Sequence, residues 1–83
     1  MRMLIITTEQ IEGLKVRQVL GLVMHVREFG MKRPSKPIFE AIEDLKKKAS
    51  NMGANAIIGF KLESIDNIDV KAIIVYGTAV IVE

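Results

Sequence analysis

One histidine, a knot of acids near a turn, and three polar groups set among apolar residues are the features of this 83-residue chain best suited to chemistry. His25 is the sole side chain whose ordinary pKa lies near neutrality, so proton transfer or metal ligation would fall to it. Glu28 stands three residues on, and in a strand the two point to opposite faces. Asp66 and Asp69, with Glu63, surround the segment Ile65 to Asp69 and offer the oxygens a hard cation prefers. Their spacing lacks the alternating acids and central glycine of an EF-hand, and solvated turn chemistry explains them more simply. His25, Asp66 and Asp69 are therefore weak candidate metal ligands. Asn55, Tyr76 and Thr78 lie inside apolar strands and need hydrogen-bond partners if buried. Asn55, beside Gly53, suits support of a helix-to-strand connection; together the three are candidates for a pocket between subunits. No catalytic residue is identified.

Much chemistry is excluded outright. There is no cysteine, hence no disulfide and no thiolate metal site, and one histidine cannot build a multi-imidazole zinc centre within one chain. No glycine-rich phosphate loop and no Ser-His-Asp set is present. Glu43 and Asp44 belong to a helix surface with no cleft in view. The net charge is +2, and three of the twelve cations, Lys46, Lys47 and Lys48, cluster late in an expected helix, where they complement its dipole. A nucleic-acid footprint would draw on Arg27, Lys32, Arg33 and these lysines, but it should cover a face, and nucleic acid is not an expected partner.

The elements that must position these groups follow from periodicity. Met3 to Thr7 reads as a short strand, and Thr8 to Gly13 as a turn. From Leu14 to Phe29 a long strand alternates at period two, wet at its ends and apolar on both faces at its centre. Gly21 there marks a bulge or bend. Gly30 to Pro37 is a loop; Ser35 suits an N-cap and Pro37 a first helical turn. Ile38, Phe39, Ile42, Leu45, Ala49 and Met52 form one helical stripe, and Gly53 closes the helix. Ala54 to Ser64 is the third strand, Ile65 to Asp69 a turn, and Val70 to Val82 a fourth strand apolar on both faces.

Such two-faced strands are normally buried on both sides. One helix covers one face. At 83 residues the chain is near the size where a core becomes marginal, and without disulfides or metals self-association is the expected remedy. The longest apolar run, Ala72 to Val82, is shorter than the roughly 20 residues of a membrane-spanning helix. The first residues lack a signal peptide's apolar stretch and cleavage site, so a cytoplasmic location without membrane contact is expected.

Ile5 to Thr8 (IITT), Ile11 to Gly13 (IEG), Val19 to Gly21 (VLG), Gly53 to Gly59 (GANAIIG) and Gly77 to Glu83 (GTAVIVE) occur in an order that resembles the YbjQ-like family. These are small uncharacterised proteins labelled heavy-metal-binding, and the resemblance covers nearly the whole chain. It implies an α+β, dodecin-like β-β-α-β-β subunit, one helix packed on an antiparallel sheet, assembling into a ring-shaped homo-oligomer, a pentamer. It implies no established activity. Longer members carry extra residues between the second strand and the helix, where this chain has only GMKRPSKP. Many members also place a Gly-Glu pair where His25 and Val26 align, so a carboxylate available to metal there is missing.

The resulting expectation is one domain, residues 1–83, forming a non-enzymatic homo-oligomer whose subunit interfaces hold a metal ion or small ligand. An enzyme assembled between subunits around His25 or the Asp66–Asp69 turn is the alternative. A dodecin-like small-molecule store is a third, weakened by the absence of tryptophan for flavin stacking.

Overall fold

The structure, a computed structural model, describes residues 3–29 and 35–83. Of the loop expected over Gly30 to Pro37, residues 30–34 lie outside the described residues, as does the capping role of the Ser35 side chain, and the last three residues already belong to the helix. The elements are β1 (Leu4–Ile5), β2 (Val16–Glu28), α1 (Ser35–Asn51), β3 (Ala56–Asp66) and β4 (Lys71–Val82). They build a four-stranded sheet in the order β1-β3-β4-β2, with α1 against one face. The fold is α+β as expected, but the sheet is mixed rather than antiparallel. β4 runs antiparallel to both neighbours, while β1 pairs parallel with β3. The reason lies in the 8–13 segment: it turns the chain across to β2 on the opposite edge instead of forming a hairpin, leaving β1 free to align with β3. Backbone bonds from Ile6 N to Ile57 O and from Phe60 N to Ile6 O extend that parallel contact.

Helix α1 turns its stripe of Ile38, Ala41, Ile42, Leu45 and Ala49 onto the sheet, where Ile57, Ile73, Val75, Ala79 and Val23 complete the core. Leu45, Ala41 and Ala49 are fully buried. Phe39 and Met52, expected in the stripe, are not: Phe39 is 70% exposed and Met52 39%. The stripe runs Ile38, Ala41, Ile42, Leu45, Ala49 at three- and four-residue steps, and Phe39, one residue on from Ile38 and about 100° round the helix, falls outside it. The helix ends as expected at Gly53, whose φ of 92° is the left-handed conformation that favours glycine. Gly53 N donates to Ser50 O and Ala54 N to Ala49 O, so these two carbonyls of the last turn are satisfied.

The bulge expected at Gly21 is present and is one of two in β2. The pairings are Val16 with Val82, Val19 with Val80, Leu22 with Thr78, Met24 with Tyr76 and Val26 with Ile74. Each bulge shifts the alternation by one residue, so Val19 joins Leu22, Met24 and Val26 on the face opposite the helix. Strict period two would have separated them.

Gly77 lies where β4 meets a bulge in β3 between Ile58 and Lys61. A methyl group there would sit 2.6 Å from Ile57 Cγ2 and 3.0 Å from the Ile58 carbonyl oxygen. Neither neighbour is the free end of a flexible side chain. Gly77→Ala is expected to cost about 2 kcal/mol through overpacking, read by chemical denaturation. An unchanged midpoint would show that β3 yields there without cost.

Candidate functional site

The polar cluster of this fold lies between α1 and β2. Arg27 and His25, two apart on a strand, share the helix-facing side of β2; Glu40 and Asp44, four apart on a helix, share the sheet-facing edge of α1. The two pairs meet. His25 Nε2 lies 3.2 Å from Asp44 Oδ2, Arg27 Nη1 lies 3.1 Å from the same oxygen, and Arg27 Nη2 binds Glu40. Further along, Lys48 Nζ donates to the Met24 carbonyl at 3.1 Å and ties the end of α1 to the same strand. The arrangement clamps the helix to an edge strand. His25 Nδ1 is buried with no partner, and no hydroxyl or thiol nucleophile is among its hydrogen-bond partners. The cluster thus has the geometry of an anchor. Asp44→Ala should remove two of its contacts and cost about 1 kcal/mol, since Asp44 and Arg27 are about a third exposed and screened. A loss above about 3 kcal/mol, the range of a broken buried pair, would show a drier network than this geometry describes.

Sequence spacing puts His25 and Glu28 on opposite faces and leaves His25 without a partner, while Asp44 falls on a helix surface with no cleft. The signal for their contact was present in two local patterns, bases at i and i+2 and acids at i and i+4. Nothing local says that those two faces meet.

The other candidates do not join His25. Asp66 is 3.8 Å from Lys71 Nζ, and Asp69 belongs to the β3–β4 turn, beyond the end of the helix-covered sheet. Among the described residues no three His, Cys, Asp or Glu side chains are grouped to hold a metal ion. Asn55 has a definite task. Its amide donates to Val82 O at 2.9 Å, and its Oδ1 accepts from Val82 N at 2.8 Å. One side chain replaces a missing strand partner and holds the end of β4 beside the helix-to-strand connection.

Tyr76 and Thr78 lie on the face away from the helix. At the end of the sheet nearest β1, that face is covered: Ile6 and Ile11 pack on Ala56, Ile58, Val80 and Val82. Towards β2 it is open. Leu22 is 67% exposed, Val19 62%, Val26 49% and Met24 45%. Beside this apolar strip Thr7, Thr8, Glu9, Ile58, Gly59, Lys61 and Thr78 line an open depression of about 690 Å³. Gly59, at φ 61°, occupies the β3 bulge, after which Lys61 pairs with Tyr76 on this same face. Threonine hydroxyls and a lysine there suit a small polar ligand, but no wall closes over it.

The chain is thus an α+β fold of one helix on a four-stranded sheet, with a polar anchor between them and one open apolar face. The chain belongs to the YbjQ family: the family model, described as "Putative heavy-metal-binding", matches residues 35–83. A UPF0145 protein of Methanocaldococcus jannaschii, MJ1170, is 37% identical over 87 residues, covering 93% of this chain and 89% of that one. A UPF0145 protein of Persephonella marina is 30% identical over 103 residues, covering 98% of this chain and all of its own length. That alignment is longer than this chain, so the relative carries insertions against it. A crystal structure from Pediococcus pentosaceus, of a protein with unknown function in the DUF74 family, shares the fold. Its TM-score is 0.63 at 22% identity, with 98% of each chain covered.

Proposed function

We propose that this protein is a non-catalytic homo-oligomer, a ring of subunits in the cytoplasm, in which each copy covers the open sheet face of another and closes a ligand pocket at the interface. The carrying observation is the row Val19, Leu22, Met24 and Val26. Four large apolar side chains line one face of an edge strand, and every described element of the chain is already placed elsewhere. A contiguous apolar strip of this kind marks an interaction surface. The depression at Thr7, Thr8, Lys61 and Thr78 borders the strip, so a copy seated on the strip would roof it. The ring of five that the family resemblance implies is the subunit number proposed here.

The family description points to heavy metals, and the residues of one chain do not fit that role. Soft metals select thiolates, which are absent, and His25 with Asp44 provides two donors already committed to each other and to Arg27. The ligand supported by the lining is a small polar molecule, held by hydroxyls and an ammonium group.

Sedimentation of the wild-type chain and of Leu22→Asp tests the assembly. The wild type should run as a discrete multiple of 9.3 kDa and the variant as a monomer with unchanged circular dichroism. A monomeric wild type would overturn the proposal. No helix among the described residues is long and apolar enough to cross a membrane.

A further inference from the structure

The β3–β4 hairpin projects beyond the helix, with every residue from Lys61 to Val70 exposed. Its tip presents Ile68, 101% exposed. The tip is rigidly built for so exposed a turn. Asn67 N donates to Val70 O, and the Asn67 side-chain oxygen accepts from the backbone N–H of both Asp69 and Val70. A large apolar residue on a preorganised support has the form of a docking knob, because little ordering entropy remains to be lost on binding. Asp69 beside it has no ion pair among the described residues.

The opposite end of the molecule carries the complement. Glu9, Gln10, Ile11, Leu14, Lys15 and Val16 line a depression of about 510 Å³, with Leu14 and Val16 each more than a third exposed. Lys15 at its edge likewise has no ion pair among the described residues. The ends cannot meet within one chain. Val16 pairs with Val82 and Asp66 with Lys71, so the eleven residue steps of β4 separate them by about 36 Å. The molecule is 43 Å long.

We infer that the hairpin tip of one copy docks into the Ile11–Leu14–Val16 depression of the next, Ile68 filling it and Asp69 meeting Lys15. This rests on the homo-oligomer reading and deepens it. The two surfaces are different patches of one chain, so repeating the contact from copy to copy builds a closed ring, whereas a two-fold dimer would form it twice between the same two copies and give covalent dimers only in the crosslink below. Glu9 is the one acid lining the receiving end, and Glu83 there is engaged by Arg17 at 3.6 Å.

Because the chain has no cysteine, a crosslink gives a clean test. The full chain carrying Ile68→Cys and Val16→Cys, oxidised and run without reductant, should give covalent multimers that collapse on reduction. Ile68→Cys alone should not pass beyond a dimer. A disulfide requires Cα atoms within about 7 Å, so the distance along β4 makes any tip-to-groove bridge intermolecular. Independently, Asp69→Lys should weaken assembly about tenfold, and adding Lys15→Asp should restore it. An uncrosslinked double-cysteine variant beside a wild type that native mass spectrometry shows as an oligomer would overturn the tip contact and leave the oligomer standing. A monomeric wild type would overturn both.

Discussion

Leu22→Asp should release folded monomers. Leu22 is 67% exposed in the single subunit, so aspartate there meets water and leaves the isolated fold intact. In an assembly that covers this face, the same carboxylate is buried among Val19, Met24 and Val26. An unpaired ion costs several kcal/mol to desolvate. Even about 3 kcal/mol per interface weakens association more than a hundredfold. Val19→Asp should behave alike, because the bulge at Gly21 brings Val19 onto the same face. Ile73→Asp is a different experiment, since Ile73 is 1% exposed and belongs to the helix-side core. It should unfold the subunit rather than free it. Light scattering with circular dichroism separates the outcomes. An oligomer unaffected by either strip substitution would place the interface elsewhere.

Leu45→Ala should lower stability by about 3 kcal/mol, within the range for deleting a buried leucine where the surroundings cannot collapse. Leu45 has no exposure and is the largest fully buried side chain on α1. Ala41 and Ala49 flank it one turn away on each side, both fully buried. Small residues in those places let the helix sit close to the sheet, and they leave nothing long enough to fill the void. A loss of that size is a large share of the about 5–15 kcal/mol that stabilises a typical domain. Urea denaturation of a monomeric background, Leu22→Asp with and without Leu45→Ala, reads the subunit without the contribution of assembly. A change under about 1 kcal/mol would mean that α1 is not seated through this stripe.

The sequence carried the element order, the helix, the capping glycine and the bulge, because each follows from local chemistry. Gly53 had to be left-handed to end the helix, and Gly21 interrupts an otherwise β-branched and leucine-rich strand. What it did not carry was long-range. The parallel sense of β1 depends on where the chain travels after Gly13, and nothing in Ile5 to Thr8 encodes that. The third strand runs on to Asp66 and the turn falls at Asn67–Val70, because Asn67 caps two backbone N–H groups with its side chain. Composition marked the turn region without locating its corner. The His25–Asp44 contact and the Asn55–Val82 clamp join residues 19 and 27 positions apart, which periodicity cannot pair. The open sheet face, by contrast, was legible as a surplus of apolar residues over covering elements, although the bulges decided which of them it contains.

Native mass spectrometry of the protein purified without added metal or chelator tests the central claim most directly. The expected spectrum shows a discrete multiple of the 9.3 kDa subunit, with five copies favoured, and any added mass identifies what the interfacial pocket retains. A spectrum containing only the 9.3 kDa monomer would contradict it, and the apolar strip of β2 would then need a different cover.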